Sequence, residues 1–84
     1  MKFVVYSKDN CPYCSKVIKL LEYANLQYEV QKLDVDFNRE DFYDKFGKGS
    51  TFPRVLLNGN LIGGCNETVM YLLELSLIKR MLSL

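Results

Sequence analysis

The chain has 84 residues, 49% hydrophobic and 25% charged, which suits a single small domain over 1–84 with one core. Eleven basic against ten acidic residues give a formal charge of +1, so the basic stripe that nucleic acid or an anionic membrane would require is absent. The lack of any histidine excludes a His general base, a Cys–His nucleophile pair and every zinc site built on imidazole.

The opening Met1-Lys2-Phe3-Val4-Val5-Tyr6 is too short and too soon polar for a secretory signal. No apolar run approaches the roughly 18 residues of a membrane span. Lys2 to Tyr6 is apolar and β-branched, and a buried strand is expected there. Next comes Cys11-Pro12-Tyr13-Cys14, with Cys14, Val17, Ile18, Leu21 and Ala24 recurring at helical spacing. Pro12 suits the first helical position, where its missing N–H is of no consequence. Gln27 to Val35 has strand character. Asn38 is expected to cap a second helix, with Asp41 three residues on. Phe42 and Phe46 then share one helix face, and Gly47 and Gly49 end that helix. Asn58-Gly59 marks a two-residue hairpin turn between apolar runs. Asn66 is expected to cap a last helix reaching about Leu82, with its leucines against the sheet and Leu82 and Leu84 exposed.

The element order is therefore βαβ-α-ββ-α. The first strand, helix and strand form a right-handed crossover, so those two strands run parallel, and the hairpin adds antiparallel ones. This predicts an α/β fold: a mixed four-stranded sheet with three helices covering both faces.

Three cysteines, two of them three positions apart, do not resemble a secreted disulfide scaffold; a reducing, cytoplasmic setting is expected. A structural zinc site needs four ligands. Only Cys65 remains to join Cys11 and Cys14, so no metal is expected. Two inert core thiols would account for Cys14 but not for Cys11, which precedes a proline at a helix entry. A redox pair fits best. Cys11 sits where the first unpaired helix N–H groups converge, which favours its thiolate. The helix dipole contributes at most about 2 kcal/mol. Each pKa unit takes about 1.4 kcal/mol, so the dipole alone leaves an ordinary thiol, at about 8.5, largely protonated at neutral pH. Hydrogen bonds from the backbone of Tyr13 and Cys14, with Lys8 nearby, are expected to add the rest, and Asp9 to face solvent. Cys11 is the expected nucleophile and Cys14, a turn further in, the resolving thiol.

With that motif in place the chain resembles the dithiol glutaredoxins. Lys8 stands three residues before the nucleophile, as in that family. Thr51-Phe52-Pro53 is similar to the family's Thr-Val-Pro, whose proline follows a cis peptide bond facing the active site. Gly63-Gly64-Cys65-Asn66-Glu67 is similar to its Gly-Gly-Cys-Asp-Asp segment. The resemblance implies a thioredoxin-like fold and glutathione as co-substrate. It places the γ-glutamyl carboxylate at the N–H groups of Cys65 and Asn66 beside Gly64, and the amine near Glu67. Lys8 would meet the glycine carboxylate, Tyr13 would flank the disulfide, and Phe52 would pair its backbone with the peptide. Three departures stand out. Many members carry Gln or Arg four residues before the proline where this chain has Gly49; Lys48 and Arg39 are the candidate substitutes. Phe52 replaces valine, and Asn66 replaces an acidic residue. Cys65 itself is read as a small packing residue.

The expected function is glutathione-dependent reduction of glutathionylated proteins and protein disulfides by a monomer, with ribonucleotide reductase as a partner that the family implies. One alternative is a redoxin reduced by thioredoxin reductase, which Gly49 favours. The other is a glutathione-ligated iron–sulfur module, which a second cysteine and Pro12 disfavour.

Overall fold

The computed structural model describes residues 1–75, so the expected end of the last helix at Leu82 and the exposure of Leu82 and Leu84 lie outside the described residues. The elements are β1 (Lys2–Ser7), α1 (Pro12–Tyr23), β2 (Gln27–Lys32), α2 (Arg39–Phe46), β3 (Arg54–Leu57), β4 (Asn60–Gly63) and α3 (Cys65–Glu74). They follow the predicted order. The sheet runs β2-β1-β3-β4, with β1 parallel to β2 and antiparallel to β3, and β3 antiparallel to β4.

Side chains alternate across β1. Phe3, Val5 and Ser7 are buried on one face, while Val4 and Tyr6 are half-buried on the other. The expectation of a strand buried throughout therefore holds for one face only. On that face Phe3 and Val5 meet Val17, Leu20 and Leu21 of α1, Val55 of β3, and Cys65 and Leu72 of α3. On the other face Tyr6 lies against the rings of Phe37, Phe42 and Phe46, with centroids at 5.1, 6.4 and 5.0 Å. Helices thus cover both faces, one interface aliphatic and the other aromatic.

Local chemistry fixes the ends. Helix α1 stops at Ala24 because Asn25 adopts φ 60, which lets the Leu26 N–H return to the Leu21 carbonyl at 3.0 Å. Asn38 caps α2 by accepting the Asp41 N–H at 2.8 Å, and Gly47 ends it at φ 102. Asn58 and Gly59, at φ 50 and 87, turn the hairpin.

Two boundaries differ from expectation. Strand β2 ends at Lys32 rather than Val35, because Asp36 Oδ2 accepts the Lys32 N–H at 2.8 Å and Asp34 takes φ 66, folding the chain into a turn. Helix α3 is capped by Gly64, not Asn66: the Glu67 carboxylate reaches back to the Gly64 N–H and Thr68 Oγ1 donates to the Gly64 carbonyl, both at 2.8 Å.

Candidate active site

Strand β1 delivers the chain to the start of α1 through Lys8–Asn10, and Asn10 turns it at φ 55. Cys11 is the N-cap, extended at φ −122. Its sulfur accepts the Cys14 N–H at 3.3 Å, which meets the expectation for Cys14; among the described residues no such bond comes from Tyr13. Cys11 and Cys14 are joined as a disulfide with their Cα atoms 5.2 Å apart, a separation that lets the bridge close without moving the backbone. Cys11 is half-buried and Cys14 is buried beneath it. Tyr13, between them, is exposed. Asp9 faces solvent, as expected, and pairs there with Lys32 at 2.8 Å.

The second wall is the Thr51–Pro53 loop. The Phe52–Pro53 peptide is cis, and Pro53 is buried. The Phe52 ring stacks on Phe42 with centroids 4.1 Å apart and planes 10° apart. Lys8 Nζ and Arg39 Cζ lie 5.5 and 5.9 Å from the Phe52 centroid, within the range of cation–π attraction. Of the two candidate substitutes for the missing side chain at Gly49, Arg39 is the one that joins Lys8 here; no such contact involves Lys48 among the described residues. Arg54 secures the loop by donating to the Thr51 carbonyl at 3.1 Å and to Thr51 Oγ1 at 3.4 Å. Among the described residues, no backbone hydrogen bond uses the Phe52 N–H or C=O.

The third wall is the start of α3. A side chain at Gly63, which holds φ 136, would meet the Glu67 side chain at 2.8 Å, and one at Gly64 would meet the Pro53 carbonyl at 3.4 Å. Gly64 therefore lets this helix start lie close against the proline loop, while Gly63 leaves room for the Glu67 side chain. The Cys65 and Asn66 N–H groups, in the first turn, have no carbonyl a turn earlier to bond. The Gly64 N–H holds the Glu67 carboxyl below its ordinary range. Cys65 points into the aliphatic core, and burial pushes its thiol up against a partly opposing Lys16. It packs, as expected.

These walls enclose a cleft of about 380 Å³ lined by Tyr13, Thr51, Phe52, Pro53, Gly64, Cys65, Asn66 and Glu67, with Arg54 and Gly63. Every predicted binding residue but Lys8 lines it, and Lys8 stands at its side over Phe52. Gly63 belongs to the Gly-Gly-Cys-Asn-Glu segment that the sequence singles out, whereas Arg54 carries no sequence sign beyond its place next to Pro53. Phe42, which the sequence pairs with Phe46 on one helix face, lies outside the lining and supports Phe52 from behind. Neither this cleft nor a larger opening of about 730 Å³ between β4 and α3 has Cys11 or Cys14 in its lining; the disulfide adjoins the smaller one through Tyr13, the residue between the two cysteines that does line it.

A four-stranded mixed sheet with a Cys-x-x-C disulfide at its first helix start, opposite a cis-proline loop, defines a redox protein of thioredoxin-like fold. The glutaredoxin family model matches residues 3–62. The glutaredoxin of Ricinus communis is 37% identical over 68 residues, 77% of this chain and 67% of that one. Glutaredoxin 1 from Francisella tularensis, solved with cacodylate, superposes with a TM-score of 0.74 at 26% identity, covering 93% of this chain and 98% of that one. A buckwheat glutaredoxin–glutathione complex gives a TM-score of 0.70 at 33% identity, covering 96% of this chain and 76% of that one. The chain spans from 42% to 67% of the length of the curated relatives it matches. It belongs to the glutaredoxin family.

Proposed function

We propose that the protein is a glutathione-dependent thiol–disulfide oxidoreductase acting on glutathionylated proteins and protein disulfides in a reducing compartment. The observation that carries this reading is the Cys14 N–H held on the Cys11 sulfur at a helix start beside an open cleft. In the reduced protein the same donor stabilises a thiolate. The Cys11 thiolate attacks the glutathione sulfur of a mixed disulfide and expels the protein thiolate. A second glutathione thiolate then attacks the Cys11-bound glutathione, releasing glutathione disulfide and restoring Cys11. With a protein disulfide, the Cys14 thiol loses its proton and displaces the substrate sulfur from Cys11. The bridge closes, and two glutathiones later reopen it. Ribonucleotide reductase is one protein disulfide to test.

Glutathione fits the cleft by charge. Its γ-glutamyl carboxylate meets the Cys65 and Asn66 N–H groups. Its cysteinyl backbone pairs with Phe52 in the manner of an added strand. Its glycine carboxylate meets Lys8 and Arg39, the latter standing in for the side chain absent at Gly49. The buckwheat relative, solved with glutathione, supports the same ligand here. The test is turnover of a small glutathione mixed disulfide with glutathione and its reductase. Cys11→Ser is expected to lower turnover by about a thousandfold or more, as loss of a nucleophile does. Cys14→Ser should keep most of it. Equal loss in both variants would overturn these roles.

A further inference from the structure

Two cations share one ring beside the disulfide. Lys8 and Arg39 both lie over Phe52, and Phe52 is itself held flat against Phe42. Among the described residues the salt bridges are Lys2–Glu29 and Lys32–Asp9, so no carboxylate of those residues answers either cation. Asp9, the acid next to Lys8 in sequence, is committed to Lys32. A formal charge of +1 for the whole chain makes this a local field at the rim of the site and not a consequence of a basic protein. A valine in place of Phe52 would offer the cations no ring quadrupole to rest on.

We propose that Lys8 and Arg39, held over Phe52, select protein disulfides that carry an acidic residue beside the cysteine under attack. This deepens the oxidoreductase reading and rests on it. The cysteine of a substrate strand bonds the N–H and C=O of Phe52, which carry no backbone hydrogen bond among the described residues. Its flanking residue then lies only about 3.8 Å further along the chain, well inside the roughly 10 Å screening length of the Lys8–Arg39 pair. There an aspartate or glutamate meets both cations, whereas a lysine meets like charge. Electrons balance within the protein. Cys11 forms a bond to one substrate sulfur and expels the other as thiolate. Cys14 then displaces the first, leaving two substrate thiols and the Cys11–Cys14 bridge.

The experiment mixes reduced protein, without glutathione, with symmetric peptide disulfides in single turnover. The peptides differ only in whether Glu, Gln or Lys flanks the cysteine. At low salt the Glu peptide is expected to react about tenfold faster than the Lys peptide, a ratio that shrinks towards one at high salt. Arg39→Met and Lys8→Met should each lower the ratio and Phe52→Val should lower it too, while Lys19→Met, which removes an exposed charge on α1, should not. Equal rates for the Glu and Lys peptides would overturn the proposal. So would a ratio untouched by Arg39→Met and Lys8→Met, or one lowered as much by Lys19→Met. If no peptide is reduced, the oxidoreductase reading falls and this inference with it. If peptides are reduced but glutathione does not support turnover, only the glutathione dependence falls.

Discussion

The starts of α1 and α3 solve the same problem in two ways. Each presents unpaired backbone N–H groups, and each is preceded by a residue with positive φ: Asn10 at 55 and Gly63 at 136. At α1 an N–H of the first turn is taken by the sulfur of Cys11, an atom whose charge changes in the reaction proposed above. At α3 the N-cap's own N–H is taken by the Glu67 carboxylate, an acceptor that keeps its charge. Both helix starts also carry a cysteine, offset by one position. Cys11 is the residue before its helix and stays half-buried, whereas Cys65 is the first residue within its helix and packs into the core, at the floor of the cleft. A single step along the chain separates a half-buried sulfur from a core one.

The largest expected effect tests that offset directly. In the reduced protein at pH 6, iodoacetamide should modify Cys11 at least about a hundredfold faster than Cys65, read by peptide mass spectrometry. Burial holds the Cys65 thiol neutral, so its labelling should rise only at alkaline pH or in denaturant. Comparable rates at pH 6 would show that position relative to the helix start is not what separates the two sulfurs.

A smaller effect separates the residues before the caps. Alanine at position 63 would both hold a strained φ and press on the Glu67 side chain, so Gly63→Ala should lower stability by about 1–3 kcal/mol in urea titration. Asn10 holds a φ that asparagine tolerates, so Asn10→Gly should shift the same midpoint by less. A larger shift at Asn10 than at Gly63 would mean that the α1 start, not the α3 start, carries the backbone constraint.

Much of this was legible in the chain itself, because the signals were local. Pro12 at a helix entry, Asn38 with Asp41, and Asn58-Gly59 each act within four residues, and each does in the structure what its chemistry requires. The α3 cap was misplaced because glycine carries no side-chain oxygen to announce an N-cap, while Asn66 does. The true signal was the acid three residues after Gly64, half of a capping box. The cation pair was half legible. Arg39 was one of two candidates, and only the fold shows that α2 carries it over Phe52 while Phe42 supports the ring from below. Contacts between residues 13 and 10 positions apart, with a helix between, leave no periodic trace in sequence.

The smallest effect concerns the permanent cap. The Gly64 N–H lowers the Glu67 carboxyl below its unfolded value, so the folded state binds this proton less readily than the unfolded one. The stability this contributes is therefore present above the unfolded carboxylate range and is lost as pH falls through the lower folded value. Glu67→Gln keeps an oxygen that can accept the Gly64 N–H but removes the charge. The variant should have a slightly lower thermal midpoint than the parent at pH 7, and the gap should close on the acid side as the parent's own Glu67 is protonated. Because Glu67 is exposed, salt should narrow the gap as well. A gap that stays constant from neutral pH to below the carboxylate range would mean that the side chain's shape, and not its charge, holds the start of α3. The contrast with Cys11, where the proposed function requires charge on the acceptor, would then be sharper still.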